Sequence, residues 1–171
     1  MVKHSRTSGS TVRPGSVAPP FSLNDSPHSR ISLRDLRGRP AVLVFYVADW
    51  HPVAAEQLRQ LEVLRTRLGD GAPALIGISI DATWSHAAFA RDLEIKFPLL
   101  ADDQPPGAVA RAYGVDSTET GRGRRAVIVI DAAGIVRWSA VFPDALNPGL
   151  DGILTALEAL AAPGETSPSG S

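Results

Sequence analysis

Hydrophobic patterning divides the chain into alternating strand-like and helix-like stretches. Residues 41–47, AVLVFYV, form an unbroken apolar run rich in β-branched and aromatic side chains, the pattern of a strand covered on both faces. Asp49 or His51 can cap the helix that follows, and Pro52 suits a first helical position, where no amide hydrogen is needed. Leu58, Leu61, Leu64 and Leu68 then recur at helical spacing until Gly69 closes the segment. A buried strand thus runs through a tight turn into an amphipathic helix. The unpaired N–H groups and positive dipole end at the helix start suit an anion or an electron-rich oxygen.

The same patterning predicts short strands at 21–23 and 31–33 around a polar turn, then a turn of helix at 33–36. A second buried strand is expected over 73–80, PALIGISI, and a short helix over 84–93 with Phe89 and Leu93 on one side. An extended segment at 97–102 precedes a short helix at 107–113. Strands at 126–131 and 135–142 flank the turn from Asp131 to Gly134, a hairpin signal. A closing helix over 150–160 carries the stripe Ile153, Leu154, Leu157 and Leu160. Parallel strands need helical crossovers, so this order predicts an α/β fold whose central mixed sheet is flanked by helices. Residues 1–14 and 162–171 are Ser/Thr-rich or lack periodicity and are expected to be disordered tails around one domain at 15–161.

Composition narrows the function classes. A chain of 171 residues, 44% hydrophobic and 20% charged, fits one globular domain. A net charge of -1 and a pI near 6.4 favour neither nucleic acid nor an anionic membrane as a partner. The apolar runs are too short to cross a bilayer and the N-terminal stretch has no apolar signal core, so a cytoplasmic location is expected. No pair of histidines has helix-borne metal spacing, so neither metal nor cofactor is expected. His4 and His28 lie in loops, and Gly121-Arg-Gly123 lacks the lysine of a phosphate loop and precedes a strand. No serine sits in a Gly-x-Ser-x-Gly elbow.

The string FYVADWHPVAAEQL resembles the active-site segment of the peroxiredoxins, the alkyl hydroperoxide reductase/thiol-specific antioxidant family, whose motif runs Pro-x-x-x-Thr/Ser-x-x-Cys into the first helical turn. Phe45, Tyr46, Asp49, Trp50, Pro52 and Gln57 fit it, whereas Val47, His51 and Ala54 stand at the Pro, Thr/Ser and Cys positions. Ala18, Phe21, Leu23, Asp25, Ser32, Leu33, Leu36 and Gly38 match the family's opening. SIDATWSHAAFARDL and FPLLAD…AVARAYGV resemble the bacterial one-cysteine and bacterioferritin-comigratory members. The resemblance implies a thioredoxin-like fold and a homodimer. It also implies that Arg125, with Arg124 as its near neighbour, matches the family arginine that reaches the thiolate and bound peroxide.

The chain has no cysteine, so the sulfenate-to-disulfide cycle is chemically unavailable. A guanidinium beside a helix start still clamps a carboxylate, phosphate or enolate oxygen, and His51 offers an imidazole for acid/base work. Asp49 can orient that ring; Glu56 flanks it too. Tyr46, Trp50, Pro52, Val53, Ala54, Gln57 and Arg125 are the expected substrate-binding positions, with His51, Arg125 and Asp49 the catalytic candidates. The plainer readings are a loop residue for His51, an acid without catalytic role for Asp49, a strand-end ion pair for Arg125, rim packing or a dimer contact for Trp50, and a structural role for His86. Three functions follow: non-redox chemistry on, or binding of, a small oxyanion-bearing metabolite; a catalytically dead scaffold that binds or regulates a partner; and a peroxidase whose cysteine was replaced at Ala54. An engineered change at Ala54 leaves Val47 and His51 unexplained.

Overall fold

The computed structural model describes residues 10–117 and 123–161, so the expected tails at 1–9 and 162–171, His4, Gly121 and Arg122 lie outside the described residues. The elements are β1 (Ser22–Ser26), β2 (Ser29–Ser32), β3 (Ala41–Phe45), α1 (Pro52–Leu68), β4 (Ala74–Ser79), α2 (Thr83–Leu93), β5 (Leu99–Ala101), α3 (Ala108–Ala112), β6 (Arg125–Ile130), β7 (Val136–Phe142) and α4 (Asp151–Ala161). A 3-10 turn at Leu33–Leu36 links β2 to β3. The strands form one seven-stranded sheet in the order β2-β1-β5-β4-β3-β6-β7. β3 pairs parallel with β4 and antiparallel with β6, and β4 pairs parallel with β5. The sheet is therefore mixed, with β3 near its middle.

Alternation along the central strands sends side chains to two cores. Val42, Val44, Leu75, Val127 and Val129 meet Leu58 and Leu61 of α1, Phe89 of α2 and Ile153 of α4. Leu43, Phe45, Ile76, Ile78 and Ile128 face the other side, against Phe21, Val109, Ala110 and Tyr113. Burial on both faces accounts for the near-continuous apolar runs.

The observed helix and strand limits shift from the sequence pattern mainly at their ends. β3 stops at Phe45, although Tyr46 N–H still donates to Ile78 O at 3.1 Å. Leu68 is 41% exposed and lies outside the buried stripe, because α1 has by then run past the sheet; Gly69 ends it at a φ of +59°. Part of the stretch assigned to the N-terminal tail is tied down: Val12 N–H donates to Tyr113 O, Ser139 Oγ donates to Val12 O, and Thr11 Oγ1 donates to Gly114 O. Close packing of α4 on the sheet depends on Gly152, where an added Cβ would come within 2.7 Å of the Trp138 ring. No helix among the described residues is long and apolar enough to cross a membrane.

Candidate functional site

Between β3 and α1 the chain turns within a few residues. His51 N–H donates to Ala48 O at 3.3 Å, and Trp50 takes a left-handed φ of +68°, uncommon for a residue with a side chain. That kink sends Asp49 and His51 in different directions. His51 is the N-cap: its Nδ1 accepts from Val53 N–H at 3.3 Å and its carbonyl accepts from Ala55 N–H at 2.9 Å. Pro52 follows at N1, where its missing N–H costs nothing. The Ala54 N–H has no acceptor among the described residues, and the Ala54 side chain is buried.

Arg125 opens β6 one register step beyond the Phe45–Ala126 pair, which places it beside Tyr46 at the end of β3. It is 0% exposed. Its Nη1 donates to Gln57 Oε1 at 2.6 Å, and Nε and Nη2 donate to Asp144 O at 3.3 and 3.0 Å. Burial pulls its pKa below the ordinary value while the Asp144 charge opposes this, and a guanidinium remains a cation under such a shift. Because a guanidinium can only donate, the orientation of the Gln57 amide is fixed: oxygen towards Arg125, nitrogen away. That nitrogen, on a side chain 1% exposed, has no hydrogen-bond partner among the described residues. Gln57 lies one helical turn beyond Ala54, so the unmet donor, the guanidinium and the first turn of α1 converge.

A second cluster sits on the other side of the same turn. Asp49 is buried, and its carboxyl accepts from Tyr46 Oη at 2.7 Å and Ser85 Oγ at 2.8 Å and shares a hydrogen bond with His86 Nδ1 at 2.8 Å, which also lies 3.2 Å from Tyr46 Oη. His86 Nε2 faces Leu100 O at 3.1 Å. Asp49 N–H donates to Asp81 Oδ2 at 2.9 Å, and Ser79 Oγ donates to that same oxygen at 2.6 Å. Burial, then the Asp49 charge, push the Tyr46 pKa well above its ordinary value, so the phenol keeps its proton and donates it.

These contacts correct two expectations. Asp49 does not orient His51; its carboxyl is held by Tyr46, just past the end of β3, and by Ser85 and His86 of α2. Tyr46 turns its hydroxyl to Asp49 and His86, away from the Arg125 and Gln57 cluster, so that group offers no hydrogen bond there. Trp50 is 52% exposed and sets its ring edge-on to Phe89 at 5.2 Å, which is rim packing. Pro52 is exposed and Val53 half-buried at the mouth of the turn, Glu56 points to solvent, and Arg124 is exposed where Arg125 is enclosed. Asp144, which contributes only its backbone carbonyl, and the partners Ser85 and Asp81 carry no signal in the sequence pattern. His86 is buried with both ring nitrogens engaged, which fits its structural reading. Among the described residues no group of three or more His, Asp or Glu is placed to hold a metal ion.

Comparison with known proteins agrees with this architecture. The AhpC/TSA family model matches residues 14–139. The chain belongs to the AhpC/TSA family. It is 32% identical to alkyl hydroperoxide reductase E of Mycobacterium tuberculosis over 126 residues, covering 73% of this chain and 82% of that protein. It is 31% identical to peroxiredoxin 2 of Thermoplasma acidophilum over 152 residues, covering 85% and 75%. Among solved structures, Mycobacterium tuberculosis AhpC superposes with a TM-score of 0.78 at 20% identity, covering 94% of this chain and 98% of that one. Peroxidoxin BcpB of the same species gives 0.76 at 27% identity, covering 87% and 98%. The fold is thus the thioredoxin-like fold of peroxiredoxins, in an AhpC/TSA member without any cysteine.

Proposed function

We propose that this AhpC/TSA member binds a small metabolite bearing a carboxylate, phosphate or enolate oxygen at the start of α1, and performs no thiol peroxidase chemistry. The observation that carries the reading is the unpaired, buried Nε2 of Gln57. A donor left unmet inside a protein costs about 1–3 kcal/mol, and an acceptor seated beside it recovers that cost. An oxyanion there would also meet the N–H groups that Arg125 does not spend on Gln57 and Asp144, the free Ala54 N–H and the positive end of the α1 dipole. Loss of sulfur leaves all of these donors in place.

His51 adds a directional constraint. With Nδ1 accepting from Val53 N–H, the ring's proton resides on Nε2, so it approaches a ligand as a neutral hydrogen-bond donor, not as a base. Non-redox chemistry at this site would therefore polarise an oxygen. A homodimer in the cytoplasm is the assembly and location this reading expects.

Calorimetry with small carboxylates and phosphates tests it. Arg125→Ala is expected to weaken binding by about 1.5–3 kcal/mol, the range for a hydrogen bond to a charged group. Arg125→Lys should recover only part, because an ammonium lacks the planar fork. Equal affinity in the wild type and Arg125→Ala would remove the site from consideration.

A further inference from the structure

The parallel ladder between β4 and β5 covers only the second half of β4. Gly77 pairs with Leu99, and Gly77 N–H donates to Pro98 O at 3.0 Å. Backbone groups alternate sides along a strand, so Leu75 turns its N–H and C=O to that same flank, whereas Ala74 N–H donates to Pro40 O beside β3 at 2.9 Å. Continuing the register, Leu75 O would accept from the N–H of residue 98, and Leu75 N–H would donate to the carbonyl of residue 96. Residue 98 is a proline and has no N–H. Lys96 is drawn off the ladder, since its own N–H donates to Glu62 Oε2 of α1 at 3.1 Å. Among the described residues Leu75 N–H therefore has no acceptor and Leu75 O no donor.

A cavity of about 530 Å³ lies in the lane that β5 leaves. Its lining takes Ile31, Leu36 and Ile76 from one core and Leu75 and Phe97 from the other, so it sits in the plane of the sheet and not on one face. Space of that size falls within the range of about 300–1,000 Å³ for small-ligand sites. Charged groups of both signs stand around it. Asp35 accepts from Ser32 N–H, and Glu62 draws on Arg65 and Lys96. Arg39 and Asp70 also line the cavity, and neither has an ion pair among the described residues. We propose that this notch binds a short extended peptide with free termini, whose backbone completes the ladder at Leu75. The peptide C=O accepts from Leu75 N–H and its N–H donates to Leu75 O, the pairing by which an added strand joins a sheet. The apolar walls take a side chain such as valine, Arg39 meets the terminal carboxylate and Asp70 the terminal ammonium. The notch lies at the start of β4, at the end of the sheet opposite the turn into α1, so neither site depends on the other.

The test uses the full chain, labelled with ¹⁵N and followed by NMR, with the tripeptide Ala-Val-Ala as the probe. Before any peptide is added, the Leu75 amide should exchange with water at least about tenfold faster than the amides of Ala74 and Ile76, which face β3. Titration should then shift the Leu75 amide to saturation and slow its exchange. The same peptide methylated on the valine nitrogen cannot donate to Leu75 O and should bind about tenfold more weakly. Acetylating its amine and amidating its carboxylate should weaken it by about fivefold, the worth of exposed charge pairs. In Arg39→Ala, an exposed position whose loss leaves the fold intact, the free and the C-terminally amidated peptides should bind alike. A Leu75 amide as protected as its neighbours in the free chain, the absence of a saturable shift, or equal affinity for the methylated or the capped peptide would overturn the proposal.

Discussion

The two polar clusters beside the end of β3 are built from similar materials and differ in completeness. Around Asp49 every polar group is engaged: Tyr46 and Ser85 donate to the carboxyl, and each nitrogen of the His86 ring has an oxygen within hydrogen-bond distance. Around Arg125 this is not so, because three guanidinium N–H groups are spent on Gln57 and Asp144 and the amide nitrogen of Gln57 meets no partner among the described residues. A closed cluster fixes geometry, whereas an open one keeps donors available. On the proposed function the two tasks fall on either side of a single turn, with the α2 side holding the loop and the α1 side left to offer hydrogen bonds to a ligand.

The strongest way to sharpen this contrast is to return a nucleophile to the open side. Val47→Pro, His51→Thr and Ala54→Cys together place a thiol in the first turn of α1, within reach of the dipole and Arg125. Both should lower its pKa well below the value of about 8.5 for a free cysteine. Free cysteine at pH 7 is only a few per cent thiolate, so complete ionisation should speed peroxide oxidation by roughly tenfold or more over free cysteine. Stopped-flow measurement against the wild type, expected to reduce peroxide no faster than a heat-killed control, decides it. A thiol that titrates and reacts like a free one would mean that the open cluster no longer has the shape of a reactive site.

On the closed side the largest effect should be on stability. His86→Leu takes one partner from the buried Asp49 carboxyl and one from the Leu100 carbonyl, and leaving buried polar groups unmet costs about 1–3 kcal/mol each. Urea unfolding should show it as a lower midpoint with an unchanged slope. A loss under about 1 kcal/mol would show that the cluster is not the closed unit described above.

Much of the frame that carries these clusters is legible in the chain. The apolar run at 41–47, Pro52 and the leucine spacing act locally, and each position reports its own element. What the chain conceals is direction. Asp49 lies two residues from His51, and proximity in sequence suggested a dyad. The left-handed Trp50 turns the two apart, and the true partner, His86, is 37 positions away on a helix brought near by a crossover. Arg125 was reachable only through the family resemblance, since a strand-end arginine carries no local signature. The Asp144 carbonyl is backbone, so no residue type announces it. The orphaned nitrogen of Gln57 is a property of packing alone.

That orphan allows a more delicate test of the open cluster. In Gln57→Glu, one carboxylate oxygen keeps the bond from Arg125 and the other replaces the unmet donor, closing the cluster with a negative charge. A bound anion should then lose at least a factor of ten in affinity, about 1.4 kcal/mol, through lost donation and like-charge repulsion. Unchanged affinity by calorimetry would mean that the Gln57 nitrogen is met by water and not by ligand.

The smallest expected change isolates the role of His51. As an N-cap it holds one donor, Val53 N–H, over a long 3.3 Å contact, so His51→Ala should cost about 0.5–1 kcal/mol, the low end for a cap. Serine ranks among the best caps, and His51→Ser should therefore return the unfolding free energy to within about 0.5 kcal/mol of the wild type. Ligand affinity separates the two roles of the ring. If the imidazole only caps α1, serine restores binding together with stability. If its Nε2–H also reaches the bound oxygen, serine restores stability alone and binding stays weaker by about 0.5–1.5 kcal/mol, the worth of one hydrogen bond. The second outcome is expected, because Nδ1 is already spent on the helix and the remaining nitrogen of a half-exposed ring at the helix start is the one free to donate.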